Sequence, residues 1–251
     1  MTMNQTVLIT GASSGIGRAL AFEFAARGYH LGLAARRVDV LEALRVELHT
    51  RYPLASRHIE IAALDVDRAR DVAGALAPLF ASLAGVDIVV VNAGVNRLTS
   101  VGRGDLEQAS AVIQTNLVGA IATVEAAAAH MRARGGGQIV GISSLASVRA
   151  MPKQAAYCAS KAGFSMYLEA ARMELQRKNI GVCQILPGFV VTDIMPNIGK
   201  YPFAVNAEQA AKEIVTLIER RKRFGVVPAY PWKWLRPFLG LIPNALWRKL
   251  A

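Results

Sequence analysis

The fold is indicated first by a stretch near the N-terminus, Val7-Leu8-Ile9-Thr10-Gly11-Ala12-Ser13-Ser14-Gly15-Ile16-Gly17. Residues 7–10 are uncharged and mostly apolar and predict a short buried strand, whereas the pattern of residues 18–25 predicts a helix. Between them, glycine permits positive φ and a close approach of the backbone to a pyrophosphate. A helix N-terminus offers N–H groups and the positive end of a dipole to that anion. The spacing G-x-x-x-G-x-G differs from the commoner G-x-G-x-x-G, but the strand–turn–helix order predicts a dinucleotide site.

The rest of the chain alternates between predicted strands and helices. Most strands are continuous apolar runs, which is typical of a parallel sheet covered on both faces. The sequence therefore predicts an α/β protein with a doubly wound, mostly parallel, seven-stranded Rossmann-type sheet whose site lies at the carboxyl edge. The predicted strands are 5–10, 29–35, 58–64, 86–91, 137–143, 180–186 and 224–227, and the helices are 15–27, 38–51, 67–84, 106–134, 154–178 and 207–221.

A second motif lies in the stretch Tyr157-Cys158-Ala159-Ser160-Lys161, with Ser144 thirteen residues upstream of its tyrosine. On a helix, Tyr157 and Lys161 share one face. A neighbouring ammonium favours the phenolate and lowers the tyrosine pKa from about 10, so that the phenol can exchange a proton near neutral pH. Ser144 adds a hydroxyl able to hold a carbonyl or alcohol oxygen. Together these side chains predict the reduction of a ketone or the oxidation of an alcohol.

With these two motifs in this order, the chain resembles the short-chain dehydrogenase/reductase family over roughly residues 5–195. The resemblance rests on motifs in the family's order: Thr10 to Gly17, Asp65, Asn92-Ala93-Gly94, Asn116, Ser143-Ser144, Tyr157 to Lys161, and Pro187-Gly188 followed by Thr192. It implies a Rossmann-type domain and hydride transfer with NAD(H) or NADP(H). Val91 stands where the family often has a second asparagine, and Ser147 replaces a frequent glycine.

The resemblance also implies roles for individual residues. The catalytic set is Asn116, Ser144, Tyr157 and Lys161, in which Asn116 distorts its helix and holds a water that links Lys161 to solvent. Asp65 contacts the adenine amino group, whereas Asp67 is the better candidate for capping the next helix. Thr192 and backbone groups near it bind the nicotinamide carboxamide. The cofactor-binding set comprises Gly11, Ser13, Ser14, Gly15, Ile16, Gly17, Arg36, Arg37, Asp65, Val66, Asn92, Ala93, Gly94, Tyr157, Lys161, Pro187, Gly188, Val190 and Thr192.

Cofactor choice depends on the end of the second strand. An acid about 20 residues after the glycine loop would bind the ribose 2′-hydroxyl of NAD, but Arg36 and Arg37 stand there. A guanidinium fork suits the 2′-phosphate of NADP. The sequence therefore favours NADP(H) over NAD(H).

Composition places limits on the class of protein. The chain has 251 residues, 53% of them hydrophobic, which is long enough for a sizeable core and excludes disorder. Two cysteines suit a reducing compartment, and we expect a cytoplasmic protein without a secretory signal, a membrane-spanning helix or a metal. Residues 1–228 are predicted to form a single domain, with an apolar substrate lid over 193–206, and residues 229–251 a basic extension.

The C-terminal part is unusual. From Lys200 onward the chain has ten basic residues and only three glutamates. All three tryptophans (Trp232, Trp234 and Trp247) also lie in this part, among leucines. Three interpretations stay open. The segment 229–251 packs on its own domain or on a second subunit and closes the pocket, or it attaches peripherally to an anionic membrane. Nucleic-acid binding is disfavoured because no recognised reading module is present.

The function predicted from the sequence is NADP(H)-dependent interconversion of a ketone and a secondary alcohol. An apolar lid favours a lipophilic small-molecule substrate, and the resemblance implies a homodimer or homotetramer. Two alternatives remain. One is a 3-oxoacyl-[acyl-carrier-protein] reductase, whose acidic carrier the basic residues would attract. The other is a catalytically silent NADP(H)-binding sensor, which we would expect to have lost part of the catalytic set.

Overall fold

The computed structural model describes residues 5–53, 58–192, 203–245 and 247. Within them, seven parallel strands form a central sheet in the order β3-β2-β1-β4-β5-β6-β9, and two short strands, β7 and β8, pair separately. The predicted α/β fold with a seven-stranded parallel sheet is confirmed. The strands are β1 (Thr6–Thr10), β2 (His30–Ala35), β3 (Ile59–Ala63), β4 (Ile88–Val91), β5 (Gly137–Ile142), β6 (Ile180–Pro187), β7 (Val190–Val191), β8 (Val205–Asn206) and β9 (Phe224–Val227).

Helices follow the strands and cover both faces of the sheet. They are α1 (Gly15–Ala26), α2 (Val38–Arg51), α3 (Val72–Ser82), α4 (Leu106–Ile113), α5 (Ala120–Arg134), α6 (Ala155–Leu175), α7 (Ala207–Glu219) and α8 (Trp232–Leu239). Short 3₁₀ turns are present at Ala69–Asp71, Leu145–Ser147 and Gln176–Lys178, and a π-helical segment is present at Gln114–Gly119.

The core consists of two apolar layers separated by the sheet. Successive strand residues point to opposite faces, so Val7 and Ile9 pack with α1, α2 and α7, whereas Leu8 packs with α3, α5 and α6. Because both layers are apolar, the strands are apolar on both faces, and this is why they appear in the sequence as continuous runs.

The order of strands places a crevice at one edge of the sheet. The chain leaves β1 for β2 on one side and later returns to β4 on the other, so the two halves diverge between β1 and β4. In such sheets, ligands bind beyond the carboxyl ends of the strands at this switch point. The loops after β1, β2, β4, β5 and β6 all begin at that edge.

The helix predicted over 106–134 is continuous but not regular. The π-helical segment Gln114–Gly119 separates α4 from α5 and contains Asn116. A π-turn inserts an extra residue and re-aims the side chains around it. The span Leu106–Arg134 is long and apolar enough to cross a bilayer, but more than half of its most apolar window is buried. Here it serves as a core helix.

Several local predictions were wrong. The helix expected over 67–84 begins with a 3₁₀ turn and becomes α-helical only at Val72, and neither β7, β8 nor α8 was predicted. Elements this short carry too little periodicity to be recognised in a sequence. Most of the predicted lid, residues 193–202, lies outside the described residues.

Helix α8 and the residues after it pack on the end of the sheet. Trp232 and Leu239 are buried against Leu186 of β6 and Val226 of β9. Arg236 lies inward, with its guanidinium carbon 4.3 Å from the centroid of the Phe224 ring. The described part of the C-terminal segment therefore contacts its own chain close to the carboxyl edge.

Two glycines provide a matched test of how closely the π-helical segment packs against the backbone of Val66. A Cβ at Gly119 would lie 2.5 Å from the Val66 carbonyl oxygen, whereas one at Gly74, on an exposed part of α3, would meet nothing within 4 Å. We expect Gly119→Ala to lower the free energy of unfolding by about 1–3 kcal/mol. Gly74→Ala should raise it by up to about 1 kcal/mol, because alanine is the better helix former. Urea unfolding measures both, and equal effects would contradict the described packing.

Candidate functional site

The glycine turn after β1 is shaped to hold an anion. Gly11 and Gly15 have φ of 68° and 55°, a region that favours glycine. At Gly17 a Cβ would lie 2.3 Å from the Gly11 carbonyl oxygen, so this glycine lets α1 approach the turn. Ser14 precedes α1 without a side-chain cap, and the first turn of the helix has no acid. The early N–H groups of α1 are therefore available to a pyrophosphate.

A cavity of about 350 Å³ extends from this turn along the carboxyl edge. It is lined by 19 of the 21 predicted site residues, and the two exceptions are Gly17 and Asn116. The 19 are Gly11, Ser13, Ser14, Gly15, Ile16, Arg36, Arg37, Asp65, Val66, Asn92, Ala93, Gly94, Ser144, Tyr157, Lys161, Pro187, Gly188, Val190 and Thr192. The structure thus brings together residues from six strand ends and helix α6.

The turn is fastened to the centre of the sheet by Asn92. Its Nδ2 donates to the carbonyl oxygens of Thr10 and Gly11, at 3.0 and 3.3 Å. In return, Thr10 Oγ1 accepts the N–H groups of Asn92 and Ala93. These bonds hold the ends of β1 and β4 together, directly at the switch point.

Both arginines after β2 line the cavity, with different partners. Arg37 Nη2 donates to Ser13 Oγ at 3.0 Å, which links it to the glycine turn. Arg36 is largely exposed and lies 3.6 Å from an oxygen of Asp67. An exposed ion pair of this length contributes little free energy, so Arg36 can exchange Asp67 for a stronger anion.

Of the two aspartates after β3, only Asp67 differs from expectation. Asp65 lines the cavity, and its Oδ1 accepts the backbone N–H of Asp67 at 3.2 Å. The prediction that Asp67 caps the following helix is wrong: α3 starts only at Val72, and Asp67 instead accepts a hydrogen bond of 2.5 Å from Thr115 Oγ1. Because the intervening residues form a 3₁₀ turn, Asp67 lies too far from the first turn of α3 to cap it.

Ser144, Tyr157 and Lys161 meet at one wall of the cavity. The Tyr157 hydroxyl is hydrogen-bonded to the Ser144 side chain. Lys161 lies one turn further along α6, with its Nζ 5.9 Å from the centroid of the Tyr157 ring. That ammonium donates to the Ile142 carbonyl oxygen at 3.0 Å and only 6% of the residue is exposed. A hydroxyl pair and a cation are therefore fixed side by side.

The pKa shifts in this group have one main cause. Burial lowers the pKa of Lys161 from 10.5 to about 8, because desolvation disfavours the charged form. Burial likewise raises the pKa of Tyr157, and the Ser144 hydrogen bond opposes that rise. Tyr157 is partly exposed, but its surface faces the concave cavity. The expectation that Lys161 lowers the tyrosine pKa is not met in the protein alone, since desolvation outweighs an ammonium that is already hydrogen-bonded to Ile142.

Adjacent serines at the end of β5 have different partners. Ser143 Oγ donates to the Lys161 carbonyl oxygen at 3.0 Å and lies 2.7 Å from Ser165 Oγ, which fastens the strand to α6. The side chain of Ser144 faces Tyr157. This division agrees with the alternation of side chains along a strand.

Asn116 lies behind the cavity wall. Its Oδ1 accepts the Val95 N–H and its Nδ2 donates to the Val95 carbonyl, both at 2.8 Å, so that the amide is paired with one backbone unit. A Cβ at Gly94 would lie 3.2 Å from Asn116 Oδ1 and 3.6 Å from Lys161 Nζ. Glycine thus leaves a small space between them, of the kind a bridging water needs. The water-holding role stays a prediction.

Sequence reasoning missed several cavity-lining residues. Seven of them end or follow the same strands as the predicted ones, and position alone would have found them: Ala35, Leu64, Asp67, Val95, Asn96, Ile142 and Ser143. The eighth, Thr115, lies in the π-helical segment, which no strand pattern indicates. Among the described residues, no group of three or more His, Cys, Asp or Glu side chains is placed to hold a metal.

Comparison with known proteins agrees with this geometry. The family model described as short chain dehydrogenase matches residues 5–201. The chain belongs to the short-chain dehydrogenase/reductase family. It is accordingly an oxidoreductase that interconverts CH–OH and C=O groups with NAD(P)(H).

Two relatives cover most of the chain. An uncharacterized oxidoreductase of Mycobacterium tuberculosis is 38% identical over 248 residues, which is 98% of this chain and 97% of the relative. The 11-beta-hydroxysteroid dehydrogenase 1A of Arabidopsis thaliana is 30% identical over 260 aligned positions, covering 94% of this chain and 73% of the relative.

Solved structures show the same fold. An alcohol dehydrogenase from Thermococcus sibiricus, complexed with 5-hydroxy-NADP, has a TM-score of 0.80 and 26% identity over 89% of this chain and 95% of its own. A short chain dehydrogenase/reductase from Burkholderia phymatum, in complex with NAD, has a TM-score of 0.84, 20% identity and 96% coverage of both chains. The two cofactors differ, so the fold alone leaves the choice between them open.

Proposed function

We propose that this enzyme transfers hydride between NADP(H) and a lipophilic ketone or secondary alcohol. The observation that carries the proposal is the Ser144–Tyr157 hydrogen bond beside the buried Lys161, at the wall of a cavity shaped for a dinucleotide. When bound, the nicotinamide cofactor supplies or accepts the hydride.

The remaining steps belong to the side chains. Ser144 orients the substrate oxygen, and Tyr157 donates a proton to that oxygen as negative charge develops on it. The Lys161 cation beside the ring stabilises the phenolate that this transfer leaves. Asn116 holds the water through which Lys161 and Tyr157 regain a proton from solvent. A tyrosine whose pKa is raised by burial is protonated at neutral pH, which suits ketone reduction.

The preference for NADP(H) is supported by Ser13, Arg36 and Arg37. The chain has no carboxylate at the end of β2, where one would pair with the ribose hydroxyls of NAD. Arg37 already contacts the glycine turn, and Arg36 is held only by a weak, exposed ion pair. Two guanidinium groups here would bind a 2′-phosphate through charge-assisted hydrogen bonds.

A lipophilic substrate is supported by aromatic rings of the predicted lid and of the C-terminal extension. Phe203 contacts both Tyr230 and Trp232 edge to face, with centroids 6.0 and 6.4 Å apart. The hydroxysteroid dehydrogenase among the relatives is consistent with an apolar substrate.

An acyl-carrier substrate is less favoured, because the basic run Arg220 to Arg223 precedes β9 and so lies at the edge of the sheet opposite to the cavity. NADPH consumption across ketone classes would decide this, and turnover confined to carrier-bound esters would contradict the proposal.

We further propose a homodimer or homotetramer. Leu106 on α4, together with Met166 and Met173 on α6, is mostly exposed on one side of the sheet, and apolar side chains grouped in this way are typical of subunit contacts. Light scattering coupled to gel filtration would contradict the proposal by giving the mass of a monomer.

We propose that the C-terminal extension binds peripherally to the surface of an anionic membrane. Helix α8 buries one face on the domain formed by residues 1–228, whereas an outward stripe of large apolar residues is exposed: Tyr230, Trp234, Phe238 and Leu241. Trp234 and Phe238 are 70% and 60% exposed, and aromatic residues favour the membrane interface. Lys233 lies beside the stripe, whereas Arg236 points inward. We propose a cytoplasmic protein that is bound peripherally in this way.

Replacing Tyr157 tests the reaction. We expect Tyr157→Phe to lower kcat for ketone reduction by roughly a hundredfold to ten-thousandfold, because the proton donor is lost, while the NADPH dissociation constant stays nearly unchanged. Tyr167→Phe is the control, since this hydroxyl lies on the same helix but is bonded to Glu125. Near-normal turnover by Tyr157→Phe would exclude the mechanism. A wild type that binds NADPH without reducing any ketone would favour the sensor alternative.

Removing both arginines tests cofactor choice. In Arg36→Ala/Arg37→Ala, the NADPH dissociation constant should rise about tenfold to a hundredfold, because charge-assisted bonds to phosphate are lost. That of NADH should change little. The control Arg70→Ala/Arg132→Ala removes the same charge from exposed positions outside the cavity. An equal loss of affinity for both cofactors would refute the assignment.

Vesicle sedimentation tests the outward stripe. We expect the wild type to bind phosphatidylglycerol-containing vesicles better than pure phosphatidylcholine vesicles, and Trp234→Ser/Phe238→Ser to bind on the order of tenfold more weakly. Val46→Ser/Val101→Ser removes two exposed apolar residues elsewhere and should leave binding unchanged. Unaltered sedimentation of the stripe variant would rule out this surface, and cell fractionation would then be expected to find the protein only in the soluble fraction.

A further inference from the structure

The loop that follows β5 links the Ser144 hydroxyl to a distant part of the chain. We define the Ser144 loop as residues 144–150. Within it, Ser144 Oγ accepts the Ala146 N–H at 3.1 Å, and Ser147 Oγ donates to the Ser144 carbonyl at 2.6 Å. These bonds close the 3₁₀ turn Leu145–Ser147 around Ser144. Any displacement of the loop therefore changes where the Ser144 hydroxyl points.

The outer half of this loop is hydrogen-bonded to the C-terminal segment as well as to its neighbours in sequence. Arg149 Nη2 donates to the Ile242 carbonyl oxygen at 2.9 Å and to Asn244 Oδ1 at 2.6 Å. Trp247 Nε1 donates to the Ala150 carbonyl oxygen at 2.7 Å. The Arg149 guanidinium carbon also lies 6.0 Å from the centroid of the Trp247 ring, within reach of a cation–π attraction.

Apolar packing joins the inner half of the loop to the same segment. Leu145 and Val148 pack against the cluster that contains the buried residues Trp232 and Leu239. A Cβ at Gly188, which follows β6 and lines the cavity, would lie 3.0 Å from Trp232 Nε1 and 3.2 Å from Leu145 Cδ1. The Trp232 indole therefore packs against both the Ser144 loop and the Pro187–Gly188 turn.

We infer that residues 232–245 and Trp247 act as a clamp that positions Ser144 for the reaction, held to the Ser144 loop by the polar contacts of Arg149 and Trp247. The inference rests on the proposed role of Ser144 in holding the substrate oxygen. It concerns positioning, since neither Arg149 nor Trp247 lines the cavity. The glycine turn and the arginines after β2 belong to other loops, so the clamp should govern turnover and not cofactor affinity.

The test compares Arg149→Met and Trp247→Phe with two controls. Arg149→Met keeps the apolar stem and removes the donors, and Trp247→Phe keeps a ring and removes one N–H group. Arg132→Met removes an exposed arginine elsewhere, and Tyr167→Phe removes a single aromatic hydrogen-bond donor whose partner is Glu125. Readouts are kcat, KM, the NADPH dissociation constant and hydrogen–deuterium exchange of the Ser144 loop.

We expect Arg149→Met to lower kcat on the order of tenfold, because a small misplacement of an orienting group is costly. The NADPH dissociation constant should stay within about twofold, and amides of the Ser144 loop should exchange faster. Trp247→Phe should act in the same direction, and the double variant should lose less than the product of the single losses, because both side chains hold one loop. The controls should match the wild type.

Unchanged loop exchange in both single variants would overturn the inference, and so would faster exchange with unchanged kcat. A parallel loss of NADPH affinity would also overturn it, because that would indicate general destabilisation. If the wild type reduces no ketone, the proposed function fails separately, and loop exchange alone then decides whether the clamp exists.

Discussion

The site depends on one buried cation. Lys161 is held on α6 with its ammonium against the carbonyl of Ile142, at the point where β5 ends and the Ser144 loop begins. Burial of this charge costs free energy, as its lowered pKa shows. The neighbouring groups are arranged around it: Tyr157 one turn earlier, the Asn116 amide behind Gly94, and Ser143 fastening the strand to the lysine's own backbone. A cofactor or substrate oxygen beside Tyr157 would meet a proton donor that is already placed next to a positive charge.

Close backbone approach is the second constraint. The carboxyl ends of β1 and β4 touch through Asn92 and Thr10, and this contact leaves no room for side chains at Gly11 or Gly17. The same crowding that requires glycine also exposes the N–H groups at the start of α1. Packing at the switch point and anion binding at the helix terminus therefore have one cause, which explains why the motif is so compact in the sequence.

Patterns of apolar residues predicted the sheet, and motif spacing predicted most of the cavity wall. Local geometry with no periodic signal was not predictable in this way. The π-helical segment around Asn116, the pairing of Asp67 with Thr115 and the strands β7 and β8 depend on contacts between distant residues. The basic residues of the C-terminal part are also more dispersed in the fold than in the sequence. In the sequence these basic residues form one group. In the fold, the basic run 220–223 precedes β9 and lies at the amino edge of the sheet, whereas α8 lies near the carboxyl edge. The Arg236 side chain packs on the Phe224 ring.

The most direct test of the central claim is the titration of Lys161 itself. Enzyme carrying lysine labelled with carbon-13 at Cε would be followed by NMR from pH 6 to 11, with Lys161→Met used to assign the signal. We predict a pKa near 8 for Lys161 in the free enzyme. A value close to 10.5, the ordinary lysine value, would mean that the ammonium is solvated, and it would contradict an account built on a buried cation beside Tyr157.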